Sequence, residues 1–186
     1  MKQVQLNQYG WPGALKLLET TIPEPKAGEV AIQVEAIGVH YSDTLRRRNQ
    51  YFQPIPLPYV LGYEAVGQIV SVGEFVTGPY LIGITAAAIL PLVGRVCAAY
   101  VSDIVAYCVP LPSNIDAKSD TAIFAQGTTA QWMISQVAKV LKNKTFLVNA
   151  SAGGVGSLLV QLSKFNGAKV TATSNSDKKL KVAQEN

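Results

Sequence analysis

The chain is poor in the residues that staple or charge a fold. Its only cysteines, Cys97 and Cys108, stand apart, and a single histidine, His40, occurs in 186 residues. Neither a disulfide framework nor a four-cysteine zinc site can be built from that set. What remains is two reduced, half-buried strand residues. No run reaches the roughly 18 to 20 apolar residues needed to span a bilayer; the longest, Ile82 to Val93, is interrupted by Gly83, Thr85 and Pro91. The opening Met1-Lys2-Gln3-Val4-Gln5 lacks a basic segment followed by an apolar one, so no secretory leader is expected and the protein is placed in the cytoplasm. Charged residues make up only 15% against 48% hydrophobic, which excludes a disordered chain. A net charge of +4 suits an anionic ligand and a solvated surface equally well.

What is present changes texture near residue 115. Before it, short strands are separated by Gly and Pro. Val30, Ile32, Val34 and Ala36 alternate with outward residues, the period-two signature of a half-buried strand over Val30 to Ile37. Further strands are predicted over Ala65 to Val72, Val96 to Val101 and Ile104 to Val109. After Pro110-Leu111-Pro112, Ser119 or Asp120 is a candidate cap. A helix is predicted from Asp120 to Leu141, broken or bent at Gly127, with Trp132, Met133, Gln136, Val137, Val140 and Leu141 at largely helical spacing. Thr145 to Ala150 reads as a strand buried on both faces. Val155, Leu158, Leu159, Leu162 and Phe165 mark one face of an amphipathic helix, followed by a strand at Ala168 to Thr173 and a helix from Ser176 to Glu185.

Between that buried strand and the amphipathic helix lies Ser151-Ala152-Gly153-Gly154-Val155-Gly156. In this βαβ context, glycine lets the backbone approach a pyrophosphate, while free N–H groups at the helix start meet its charge. Ser151 stands where the fingerprint has its first glycine. An ordinary tight βα turn without ligand is the alternative. The acidic residue that grips the ribose 2′-hydroxyl of NAD belongs about 20 residues onward, where this chain has Thr173-Ser174-Asn175-Ser176 and then Lys178-Lys179. Hydroxyls, an amide and lysines hold a 2′-phosphate, whereas a carboxylate repels one, so NADPH is favoured. A helix cap at Ser176 or Asp177 with a solvated lysine face is the alternative.

Gly38-Val39-His40-Tyr41-Ser42-Asp43, the run Leu61 to Gly73, and Ser151 to Gly156 together resemble the medium-chain dehydrogenase/reductase superfamily, and within it the zinc-free quinone oxidoreductases. The likeness covers nearly the whole chain. It implies an α/β protein overall, with a GroES-like β-barrel catalytic domain at 1–119 and the first part of a Rossmann dinucleotide-binding domain at 120–186. It implies NADPH held at Gly153, Gly154, Val155 and Gly156, with Thr129 on the nicotinamide side and Ser174, Ser176 and Lys179 around the 2′-phosphate. Tyr51 matches a tyrosine near the substrate, and His40 stands where the quinone reductases carry asparagine; these two are the candidate catalytic residues.

The implied reaction is hydride transfer to a quinone or enone by a protein that is a homodimer when full length, with neither nucleic acid nor membrane as partner. Zinc is not expected, because His40, Tyr63 and Gln126 do not supply the soft or imidazole donors it needs. As the sole histidine, His40 is either a proton relay or a hydrogen-bonded cleft residue, and Glu64 reads as a structural carboxylate. Arg46-Arg47-Arg48 reads as a solvated helix face, or as a contact for an anionic partner. Lys144 to Asn186 holds 43 residues, against on the order of 150 for a complete dinucleotide fold. The chain is therefore expected to be part of a longer reductase, with Asn186 inside a helix. A non-catalytic nucleotide- or protein-binding module and an alcohol dehydrogenase-like enzyme are the alternatives.

Overall fold

The computed structural model describes residues 1–90, 95–139 and 141–185. Pro91, Val93, Val140 and Asn186, which enter the sequence patterns above, lie outside the described residues. The chain divides into two compact units, Met1–Thr121 and Ala122–Asn186. The first is mostly β. Strands β1 (Lys2–Leu6) and β2 (Leu15–Glu19) form an antiparallel hairpin that the hydrophobic pattern does not reveal, and β4 (Tyr59–Val60) extends it to the order β2-β1-β4.

The larger sheet contains β3 (Glu29–Ile37), β5 (Glu64–Val72), β6 (Thr85–Ile89), β7 (Tyr100–Ile104) and β8 (Cys108–Pro110), ordered β7-β3-β5-β6-β8 and antiparallel throughout. Val30, Ile32, Ala65, Ile69, Ala86, Ala88, Val96 and Val101 close its core. Each large aliphatic removed from water there contributes about 1.5–3 kcal/mol.

The predicted alternation in β3 holds only in part. Ala31 is buried along with Val30 and Ile32, because the register against β5 shifts between Ala31 and Ile32. The strands predicted at 96–101 and 104–109 are displaced. A tight turn from the Ala98 N–H to the Val96 carbonyl (2.6 Å) breaks the first. A single 3₁₀ turn at Val105–Tyr107 separates β7 from β8 in the second. A short helix α1 (Tyr41–Arg47) sits between β3 and β4. Gly67 is dictated by the pairing: a Cβ there would lie 1.9 Å from the Gln33 carbonyl oxygen of the neighbouring strand.

Helix α2 (Ala117–Trp132) starts three residues before the predicted position, because Asp116 is its cap rather than Ser119 or Asp120. Its carboxylate accepts from the Lys118 and Ser119 amides at 3.0 and 3.1 Å. Gly127 does not break it; the departure from α geometry comes later, as a π turn at Met133–Val137. In the second unit, β9 (Thr145–Val148) and β10 (Lys169–Ala172) pair in parallel, joined through α3 (Gly154–Phe165). Helix α4 (Asp177–Glu185) follows.

Two expectations fail in this unit. Leu147 is 63% exposed, so β9 is not covered on both faces; α3 packs on the strand pair from one side. The buried stripe of α3 is Gly156, Val160 and Ser163, while Phe165 is 88% exposed. The stripe is rotated because Gly156 packs directly on the Ala150–Ser151 backbone. Among the described residues, no helix is long and apolar enough to cross a membrane.

Burial pushes the Cys97 thiol up to about 11 and the Cys108 thiol up to about 12. Iodoacetamide labelling of the native chain at pH 8 is therefore expected to run roughly a hundredfold slower than in denaturant, followed by mass spectrometry, since the thiolate is the nucleophile. Gly67→Ala is expected to cost about 2–3 kcal/mol in urea unfolding, because a backbone carbonyl must move to admit the new carbon; an unchanged midpoint would contradict the register given above.

Candidate functional site

Two clusters carry the candidate chemistry, one in each unit. In the first, the turn between β3 and α1 and the helix that follows place His40, Asp43 and Arg46 at three-residue intervals along nearly two helical turns. Asp43 Oδ2 accepts from the His40 backbone N–H at 2.9 Å, and the Asp43 N–H donates to the His40 carbonyl at 3.0 Å. His40 Nε2 lies 2.5 Å from Oε1 of Glu64, the fully buried first residue of β5. That contact fixes the orientation of the imidazole ring.

Gly38 makes the approach feasible, since a Cβ at that position would lie 1.8 Å from Glu64 Oε1. The Tyr63 ring stacks on His40 with centroids 4.4 Å apart. Its hydroxyl is pushed up to about 12 by burial and then by the charges of Glu64 and Asp43, so it stays protonated.

Arg46 sits over both tyrosines of the cluster, 4.6 Å from the Tyr51 centroid and 5.6 Å from that of Tyr63. Its Nε and Nη1 are buried without a hydrogen-bond partner, as is Asp43 Oδ1. His40 and Tyr51 are thus linked through Tyr63 and Arg46. The triple arginine is not a solvated face: all three side chains are half-buried. Arg47 Nη1 donates to the Gly10 carbonyl, and Arg48 Nε to that of Thr44. Asp43 and Arg46 were not among the residues expected in the cluster; their spacing of three and six residues from His40 is the signal that places them there. Among the described residues, no group of three or more His, Cys, Asp or Glu side chains is arranged to hold a metal ion.

In the second unit, β9 ends in a turn where Ala150 adopts a left-handed φ of 52°. The Gly153 N–H donates to the Ala150 carbonyl at 2.9 Å, and helical bonding begins with Ser157 N–H to the Gly153 carbonyl at 2.8 Å. Gly154, Val155 and Gly156 form the first turn of α3, where amides have no partner inside the helix. Gly153, at the cap position, offers no side chain to satisfy them, and the turn contains no acidic residue. The sequence has no carboxylate from Thr121 to Ser176. A dipole end with open amides and no competing anion is what a diphosphate requires, and the residues present fit one.

The glycines differ in purpose. A Cβ at Gly156 would lie 2.2 Å from the Ala150 carbonyl oxygen, and one at Gly154 would lie 1.5 Å from Gln126 Oε1. Gln126 therefore packs against the glycine turn. Beside that turn, Ala150, Ala152, Gly153, Thr173, Ser174, Asn175 and Lys179 line an open cleft of about 400 Å³.

Of the residues expected around a 2′-phosphate, Ser174 and Lys179 share this cleft. Ser176 instead caps α4, with its Oγ accepting from the Lys179 N–H at 3.4 Å and its carbonyl from the Leu180 N–H at 3.0 Å. The Thr129 hydroxyl donates to the Ala125 carbonyl at 2.8 Å within α2 and is not among the cleft residues.

Residues 26–145 match the alcohol dehydrogenase GroES-like domain. The chain is 30% identical over 183 residues to a probable quinone oxidoreductase of Schizosaccharomyces pombe, covering 98% of this chain and 54% of that protein. It is 31% identical over 185 residues to a quinone oxidoreductase of Pseudomonas aeruginosa, covering 99% and 56%. Among solved structures, the Escherichia coli quinone oxidoreductase complexed with NADPH superposes with a TM-score of 0.93 at 27% identity, covering 100% of this chain and 56% of that one. The chain spans about half the length of the curated relatives it matches. With the matched domain covering most of the chain and the same fold found throughout, the protein belongs to the alcohol dehydrogenase GroES-like family of the medium-chain dehydrogenase/reductase superfamily.

Proposed function

We propose that the chain is the catalytic-domain and nucleotide-cradle portion of an NADPH-dependent oxidoreductase that reduces a quinone or enone without zinc, divided near residue 119. The single observation that carries this reading is the uncapped glycine start of α3 beside a cleft holding Ser174, Asn175 and Lys179, whose lining contains no carboxylate. Relatives named quinone oxidoreductases, and a neighbour solved with NADPH, support it. Bound NADPH supplies the hydride. The chain's own part is to bind, orient and exclude water.

The amides of Gly153, Gly154, Val155 and Gly156 hold the diphosphate, Ser174 and Lys179 take the 2′-phosphate, and Ser176 fixes the start of α4 beneath them. Thr129 belongs to the nicotinamide side of this reading. His40 and Tyr51 face the acceptor; His40 is held by Glu64 and presents a fixed imidazole, while Tyr51 is braced by Arg46. Cytoplasmic location, a homodimer in the full-length protein and a small-molecule partner complete the proposal.

The second reading is a module that binds the nucleotide without turnover. NADPH oxidation measured with a quinone panel separates the two. Turnover by the chain or a longer form of it is expected, and NADPH binding with no turnover in the longer form would leave only the binding module. For cofactor choice, NADPH is expected to bind about tenfold or more tightly than NADH. Ser174→Asp is expected to abolish that preference through charge repulsion with the 2′-phosphate. Equal affinity in the unaltered chain, measured by fluorescence titration, would contradict the assignment.

A further inference from the structure

Ser151 occupies the first glycine position of the phosphate-binding fingerprint, yet its side chain is fully buried and is engaged elsewhere. Its Oγ donates to the Thr173 carbonyl at 2.9 Å, and its own amide N–H donates to the same oxygen at 3.0 Å. Thr173 is held at two further points. Its N–H donates to the Val148 carbonyl at 3.0 Å, and its hydroxyl to Asn149 Oδ1 at 2.8 Å. Four hydrogen bonds thus tie this one residue to the segment Val148–Ser151.

We infer that Ser151 is a positioning residue for cofactor choice, acting through Thr173 on Ser174 and the 2′-phosphate. The inference rests on the NADPH reading given above. A peptide unit is planar, so the Thr173 carbonyl, the Ser174 N–H and the Ser174 Cα share one plane. Two donors on the carbonyl oxygen stop that plane from turning. β10 ends at Ala172, so these bonds rather than the strand ladder carry the restraint to Ser174, at the edge of the cleft. Glycine or alanine at 151 keeps the amide bond and loses the hydroxyl bond.

The diphosphate cradle is built from other bonds, Gly153 to Ala150 and Ser157 to Gly153, and does not depend on the Ser151 hydroxyl. The effect therefore falls on the 2′-phosphate and leaves the rest of the nucleotide.

The test is calorimetric titration of the full chain with 2′,5′-ADP and with ADP, which differ by the 2′-phosphate. Ser151→Ala is expected to weaken 2′,5′-ADP by about three- to tenfold, the worth of one buried hydrogen bond, with ADP changed by less than about twofold. Equal weakening of both ligands marks a merely structural role and overturns the inference, as does an unchanged ratio. If Ser151→Ala does not fold, Asn149→Ala removes the acceptor of the Thr173 hydroxyl from the exposed side. A loss of about twofold in the preference for 2′,5′-ADP is then expected, and no loss overturns the inference. An unaltered chain that binds both nucleotides equally, or neither, defeats the NADPH reading and this inference with it, an outcome distinct from a preference that survives Ser151→Ala.

Discussion

The second unit depends on how closely α3 approaches the turn that leaves β9. With 2.2 Å between the Ala150 carbonyl oxygen and the place of a Cβ on Gly156, only glycine allows this helix to begin where it does. That approach sets the rotation of α3, and so which residues it buries. It also leaves the amides of Gly154, Val155 and Gly156 without partners inside the helix, at the positive end of 12 residues of α3.

The first unit depends on a different constraint, a carboxylate with no exposed surface. Glu64 must be held by polar partners, and His40 Nε2 is one of them. The surrounding charges are compensated unevenly. Asp120 is pushed up by burial and by the negative charge of Glu64, and its Oδ2 has no hydrogen-bond partner. Arg46 satisfies its charge over aromatic faces while two of its nitrogens find no acceptor. Buried, incompletely paired polar groups of this kind are costly to a core and are found where a site needs them.

Charge is also divided unequally along the chain. Residues 122–186 contain eight lysines, no arginine and only two carboxylates, Asp177 and Glu185, whereas acidic residues outnumber basic ones in residues 1–121. The net charge of the chain conceals this, because it sums a slightly acidic first unit with a strongly basic second one. An anion binding to the second unit therefore meets a favourable field as well as local hydrogen-bond donors.

The sequence by itself determined the order of most elements and the glycine turn ahead of α3, because both rest on local rules. Glycines between an apolar run and a helical pattern serve a close backbone approach, and the missing acid after β10 is a matter of residue identity alone. It did not determine which faces are buried. Ala31, Leu147 and Phe165 each depart from their periodic pattern, since burial depends on a register shift, on the neighbouring layer and on the rotation imposed by Gly156. Nor did it reveal that Arg46 lies over Tyr51 and Tyr63, or that Ser151 reaches Thr173 22 residues away. Those contacts join residues separated along the chain, and only the tertiary packing of strands and turns fixes the distances on which their chemistry depends.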